Sequence, residues 1–162
     1  MEIGIGTAAD IEDVGPLWRS MVAHHGEVVG HASPTRDPER SWVMRREQYL
    51  GWLADGTGLL LLARRPAGDE VVGYAFGRVH RPSPTFDLGD PVGELESLAV
   101  APAARGSGAG TALIEACRKE LRQRGCTYWS VNVVEANTGA VDLYRRAGFR
   151  PWRQDLLGRL DA

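Results

Sequence analysis

Gly93-Glu94-Leu95-Glu96-Ser97-Leu98-Ala99-Val100-Ala101-Pro102-Ala103-Ala104-Arg105-Gly106-Ser107-Gly108-Ala109-Gly110-Thr111 is the stretch whose reading decides the fold. An apolar strand ending at Val100 passes through a short proline turn into glycines at 106, 108 and 110, and a helical pattern starts at once. Glycines there remove side chains where a ligand would approach the backbone. The first turn of the following helix leaves its N–H groups unpaired and carries partial positive charge. Strand, loop and helix N-terminus together form a site for a phosphorylated ligand, and Arg105 adds a charge-assisted contact. The alternative is a tight strand-to-helix turn that binds nothing. Two carboxylates, Glu94 and Glu96, stand on the strand leading in.

Outward from this unit the chain alternates strands and helices. Glu2–Gly6 reads as a first strand. Thr7 and Asp10 offer N-cap oxygens to a helix with apolar positions at Ile11, Val14, Leu17, Trp18, Met21 and Val22. Gly26–Pro38 reads as a loop, and a second helix is expected from about Pro38 to Leu53. Leu59–Ala63 and Val71–Val79 form a hairpin across the turn Arg64–Glu70. Arg81–Pro91 is a proline-rich loop and Val92–Val100 the next strand. The helix after the glycines places Ala109, Ala112, Leu113, Ala116, Cys117 and Leu121 on one face and stops at Gly125. Thr127–Val134 is a strand, Ala140–Ala147 a short helix, and the tail Phe149–Leu160 is expected to add one or two edge strands. This order implies one α/β domain over residues 1–162, with a central mixed, mostly antiparallel sheet flanked by helices. The β-loop-helix-β unit Val92–Val134 is expected to be a right-handed crossover.

The 162 residues suffice for one domain with a sizeable core. A hydrophobic fraction of 43% and a charged fraction of 25% are those of a soluble globular protein. The net charge of −2 gives no global electrostatic case for nucleic acid or an anionic membrane surface. No apolar run approaches the roughly 20 residues a membrane span needs, and the N-terminus lacks signal-peptide features. The two cysteines, Cys117 and Cys126, lack metal-ligand spacing. They read as reduced core residues of a cytoplasmic protein, with no metal expected.

Two nucleotide readings fail on named residues. A P-loop ends in Lys-Ser/Thr, but Ala112 follows Thr111 here. A dinucleotide fingerprint wants a small residue where Thr111 stands and an acidic residue about 20 positions on, where Thr127–Ser130 lie.

Arg105-Gly106-Ser107-Gly108-Ala109-Gly110 instead resembles the pyrophosphate loop, Gln/Arg-x-x-Gly-x-Gly/Ala, of the GCN5-related N-acetyltransferase superfamily. A second pattern of that family, Asn-x-x-Ala-x-x-x-Tyr-x-x-x-Gly-Phe, is met by Asn137, Ala140, Tyr144, Gly148 and Phe149. The match is strong over Val92–Pro151 and rests on element order elsewhere. The resemblance implies acetyl-CoA, or another acyl-CoA, as donor and an amine of a small molecule or protein as acceptor. It places pantetheine along Leu98, Ala99 and Val100. It places pyrophosphate on Arg105, Gly106, Ser107, Gly108, Ala109, Gly110 and Thr111, with Asn137 and Tyr144 on the cofactor's other side.

Acyl transfer to an amine needs a base for the amine, polarisation of the thioester carbonyl and a proton for the leaving thiolate. Without a bulge, strand alternation puts Glu94, Glu96, Leu98 and Val100 on one face, beside the expected thioester, and repulsion between the carboxylates raises the pKa of one. Glu94 resembles the basic glutamate of histone-modifying members and Glu96 an acidic position of small-amine members, so both stay candidates. Tyr144 matches the family tyrosine that protonates the thiolate. Asn132 stands where some members carry a glutamate base. His24, His25 and the aromatic residues Trp18, Trp42, Tyr49 and Trp52 are candidates for an acceptor pocket or for core. Arg64, Arg65, Arg78, His80 and Arg81 suit an anionic acceptor, whereas the carboxylate pair suits a cationic one. A non-catalytic acyl-CoA-binding domain of the same fold is the alternative function. Pairing of exposed tail strands would make a homodimer.

Overall fold

The computed structural model describes residues 1–30, 34–66 and 68–161. Five strands form one sheet in the order β1 (Glu2–Gly6), β2 (Gly58–Arg64), β3 (Val71–His80), β4 (Val92–Val100), β5 (Trp129–Val131). The first four are antiparallel neighbours, and β5 joins β4 in parallel. Helices α1 (Ile11–Val29) and α2 (Pro38–Ala54) connect β1 to β2, α3 (Ala109–Gln123) connects β4 to β5, and α4 (Thr138–Arg146) follows β5.

Both faces of the sheet are covered, which explains why β2 is a continuous apolar run rather than an alternating one. Leu60, Leu62, Tyr74 and Phe76 pack against Trp18, Trp42 and Tyr49 from α1 and α2. Leu59, Leu61, Ala75 and Leu95 pack against Leu113, Cys117 and Leu121 of α3. Gly77 permits the close approach of α3: a Cβ there would stand 2.9 Å from Cys117 Sγ. Cys117 and Cys126 are free and buried, and burial pushes the Cys117 thiol up to about 12.

Some expected boundaries shift. Helix α1 does not end at Gly26 but runs to Val29 and stops at Gly30, whose φ is 65°. A glycine in a last turn costs about 1 kcal/mol against alanine, too little to end a well-packed helix, whereas the left-handed conformation of Gly30 ends it. The next part of the expected loop, 31–33, lies outside the described residues. Strand β5 covers three residues of the expected Thr127–Val134, because its ladder with β4 ends at Leu95–Val131. The tail Phe149–Leu160 forms no strand, so the expected edge strands are absent among the described residues. Pro151 cannot donate to a ladder, and Leu156, Leu157 and Leu160 are exposed rather than packed.

Candidate functional site

The early end of the β4–β5 ladder creates the site. Beyond Leu95 the edge of β4 has no strand partner in β5, and a cleft of about 540 Å³ opens there. Its floor is Leu98, Ala99 and Val100, one end is the glycine loop, and α4 supplies Asn137, Ala140, Leu143 and Tyr144. Helix α1 closes the other side with Leu17, Ser20, Met21 and His24. The cleft is therefore lined from both faces of the sheet.

At the loop, Gly106 and Gly108 hold φ values of 76° and 86°, the left-handed region that favours glycine. Gly108 is the N-cap of α3, and no side chain caps the helix. Its carbonyl accepts from Ala112 N at 3.0 Å, so the N–H groups of Ala109, Gly110 and Thr111 have no acceptor within the helix. All three residues line the cleft, as do Arg105, Gly106 and Gly108. Uncapped donors, the positive end of the helix and Arg105 fit a pyrophosphate. Ser107 departs from the expected cofactor set: its hydroxyl donates to Ala104 O at 2.6 Å, and it does not line the cleft.

The second motif is first of all a description of α4. Asn137 caps the helix, its side-chain oxygen accepting from Ala140 N at 3.4 Å. Gly148, with φ 97°, ends it, and Phe149 N donates back to Tyr144 O at 3.0 Å. Phe149 then packs edge-on against the Tyr144 ring at 5.8 Å. These contacts fix Tyr144 on the cleft wall. Burial, with Tyr74 nearby, pushes its phenol up to about 12, so at neutral pH it holds its proton.

The carboxylates do not share a face with Leu98 and Val100. Phe76 pairs with Ser97 but Gly77 pairs with Leu95, so Glu96 is an extra residue, a β-bulge. The bulge inverts alternation beyond it. Leu98 and Val100 pack on the α3 side, while Glu96 and Ser97 reach residues of α2. Ser97 is buried and hydrogen-bonds the Tyr49 hydroxyl, which also lies 3.4 Å from the Tyr74 hydroxyl. A buried hydroxyl needs such a partner, so the contact holds the bulge in place.

The structure separates the two glutamates. Glu96 is ion-paired with Arg45 of α2, whose guanidinium stacks 4.8 Å above the Trp18 ring. Glu94 sits directly across from Arg78 in the β3–β4 ladder and accepts a hydrogen bond from Asn132 Nδ2 at 3.2 Å. Its Oε2 is 4.0 Å from His80 Nε2. Burial, then the charge of Glu96, push the Glu94 carboxyl above its ordinary range, against the opposing pull of His80, Arg78 and Arg45. Glu94 thus keeps its proton to higher pH than an ordinary carboxyl. Asn132, an amide that cannot itself accept a proton as a base, holds the Glu94 carboxylate on the neighbouring strand.

Sequence reasoning missed Arg45. The signal was its spacing, three residues after Trp42 and four before Tyr49, which places a charge on the buried aromatic face of α2. Trp18, Trp42 and Tyr49 are core residues, and Trp52 stacks under Arg78 at 4.3 Å. His24 lines the cleft, and burial lowers the His25 imidazole from its ordinary value.

The sequence model of the Acetyltransferase (GNAT) family matches residues 32–149. A mycothiol acetyltransferase of Thermobispora bispora is 38% identical over 126 residues, covering 75% of this chain and 41% of the relative. The chain thus spans less than half the length of that relative. Among solved structures, a GCN5-related N-acetyltransferase from Ralstonia eutropha superposes with a TM-score of 0.79 at 22% identity, over 99% of each chain. AAC(6')-Iy, in complex with the bisubstrate analogue CoA-S-monomethyl-acetylneamine, superposes with a TM-score of 0.71 at 18% identity, over 98% of this chain and 96% of its own. The extent of the family match, over the bulged strand, the glycine loop and α4 alike, makes this chain a member of the GNAT acetyltransferase family.

Proposed function

We propose that the chain, as a single domain over residues 1–162, transfers an acetyl group from acetyl-CoA to a primary amine. The observation that carries this reading is the parting of β4 and β5 beside the uncapped N-terminus of α3. The open edge of β4 at Leu98, Ala99 and Val100 holds the pantetheine amides. Ala109, Gly110 and Thr111 N–H groups hold the pyrophosphate with Arg105, and Asn137 and Leu143 flank the cofactor. Acetyl-CoA supplies an acetyl group activated as a thioester; transfer forms a C–N bond, breaks the C–S bond and releases CoA.

Glu94 accepts the proton that the acceptor ammonium must lose. Its raised pKa places it nearer the operating pH than an ordinary carboxylate. Glu96, neutralised by Arg45, holds the acceptor wall together and has no part in proton transfer. Tyr144 keeps a proton at its hydroxyl on the cleft wall and delivers it to the departing thiolate. An amine acceptor reaches Glu94 from the α1–α2 side of the sheet, and the donor lies in the cleft lined from both sides.

Incubation with acetyl-CoA and a broad amine panel, including mycothiol-type acceptors suggested by the curated relatives, tests this reading. Expected are release of free CoA thiol and a mass gain of one acetyl group on an acceptor. Acetyl-CoA binding without release of CoA thiol in the presence of any amine would favour the non-catalytic acyl-CoA-binding domain instead.

A further inference from the structure

Most guanidinium groups around the acceptor side of the sheet are engaged. Arg45 pairs with Glu96, Arg64 with Asp10 at 2.9 Å, Arg65 with Glu70 at 2.9 Å, and Arg46 with Glu12. Arg78 differs. Among the described residues its side chain makes no hydrogen bond and no ion pair, and its Nε is buried without a partner. Buried donors are nearly always paired, so this one calls for a reason. The guanidinium lies 4.3 Å over the Trp52 ring. Stacking of this kind holds the plane while leaving the edge N–H groups free to bind a carboxylate in two-pronged fashion.

Arg78 is also placed where an acceptor would arrive. It is the ladder partner of Glu94, and directly opposed residues of an antiparallel pair have Cβ atoms about 4.5–5.5 Å apart. His80, two residues along β3 on the same face, reaches Glu94 at 4.0 Å. The proposed base and a free cation thus stand side by side. Because Arg45 pairs with Glu96, Glu94 and Arg78 remain as an anion and a cation facing each other across the ladder, with the exposed Asp55 a further carboxylate within reach of the Arg78 charge.

We propose that Arg78 is an acceptor-binding residue for a carboxylate, and that the acceptor is an amino-acid-like molecule with a free carboxylate close to its primary amine. This rests on the acetyltransferase reading for the amine at Glu94. The carboxylate lies on the Arg78 guanidinium edge while the ammonium faces Glu94 and His80. Polyamines and other polycations are disfavoured, since their second charge would meet Arg78.

The test uses L-amino acids and their carboxamides, which share side chain and α-amine position but differ in the carboxylate charge; the carboxamide amine is also less basic, so the pair is compared in each variant as well as in wild type. Initial rates of thiol release from acetyl-CoA and isothermal titration into CoA-saturated protein are measured for wild type, Arg78→Gln and Arg78→Lys. At least one free acid should exceed its carboxamide about tenfold or more, about 1.4 kcal/mol, chiefly through KM. In Arg78→Gln that ratio should fall to near one, and in Arg78→Lys it should be partly kept. Equal use and equal binding of acids and carboxamides by wild type would overturn the proposal, as would a preference that survives Arg78→Gln. Acid preference in titration with no thiol release would sustain the Arg78 site and remove the acetyltransferase reading. Thiol release without acid preference would do the reverse.

Discussion

Replacing Glu96 and Glu94 by glutamine, one at a time, should give opposite results. Glu96→Gln removes the counter-charge of Arg45, a guanidinium only 21% exposed and enclosed by Trp18, Tyr49 and Trp52. Loss of one partner of a partly buried, charge-assisted pair costs about 1–3 kcal/mol. In a domain of this size, that lowers Tm by roughly 2–12 °C. Glu94→Gln is different. Burial raises the folded-state pKa of Glu94, so its contribution to stability is fully present below the unfolded pKa and is lost as pH rises through the folded one. Glutamine lacks that ionisation, and so Glu94→Gln should gain stability relative to wild type as pH rises from 4 to 7. Its turnover should fall by about 10²–10⁴-fold, as for loss of a general base, with acetyl-CoA affinity retained. Thermal unfolding at two pH values, and acetyl transfer to an acceptor drawn from an amine panel, read both effects. An unchanged Tm in Glu96→Gln, or a lower Tm at neutral pH with persisting turnover in Glu94→Gln, would refute these assignments.

Further outcomes follow from other contacts. The acid limb of the pH–rate profile should lie above the ordinary carboxylate range and disappear in Glu94→Gln; a limb at an ordinary carboxylate value would contradict the raised pKa. Tyr144→Phe should lower kcat with little change in acetyl-CoA affinity, and unchanged kcat would take the phenol out of the reaction. Tyr49→Phe removes the Tyr49 hydroxyl from the buried Ser97–Tyr49–Tyr74 cluster and should cost about 0.5–1.5 kcal/mol in denaturant unfolding. Gly77→Ala sets a Cβ 2.9 Å from Cys117 Sγ and should cost about 1–3 kcal/mol, with a coupling above about 0.5 kcal/mol to Cys117→Ala in a double-mutant cycle.

What was legible in the sequence is what local pattern controls. Gly106, Gly108 and Gly110 announced the turn into α3, and Asn137, Gly148 and Phe149 announced where α4 starts and stops. The bulge at Glu96 was not legible. It depends on pairing across to Phe76 and Gly77 and on a buried hydroxyl contact with Tyr49, 48 residues away. With it went the face of every residue beyond Glu96. The pairing of Glu96 with Arg45 spans 51 positions, and no spacing rule connects the two, so the base could not be assigned before their contacts were known. The length of β5 was hidden for a related reason: Thr127–Val134 has strand-forming residues, but β5 parts from β4 at Leu95–Val131 while β4 runs on to Val100 against β3 alone. Propensity therefore located the element without its extent.

The central claim is that the cleft between Val100, the glycine loop and α4 binds acetyl-CoA. Gly110 tests it most directly, because its Cβ would point between Leu143 Cδ2 at 3.4 Å and Val100 Cγ2 at 3.9 Å, in the first turn of a helix where a side chain is otherwise tolerated. Leucine there favours the helix over glycine by up to about 1 kcal/mol while filling the cleft. Isothermal titration with acetyl-CoA should give one site on the wild type and binding weaker by at least about tenfold on Gly110→Leu, with Tm of the free protein unchanged or higher. No binding to wild type, or equal binding to both proteins, would contradict the account.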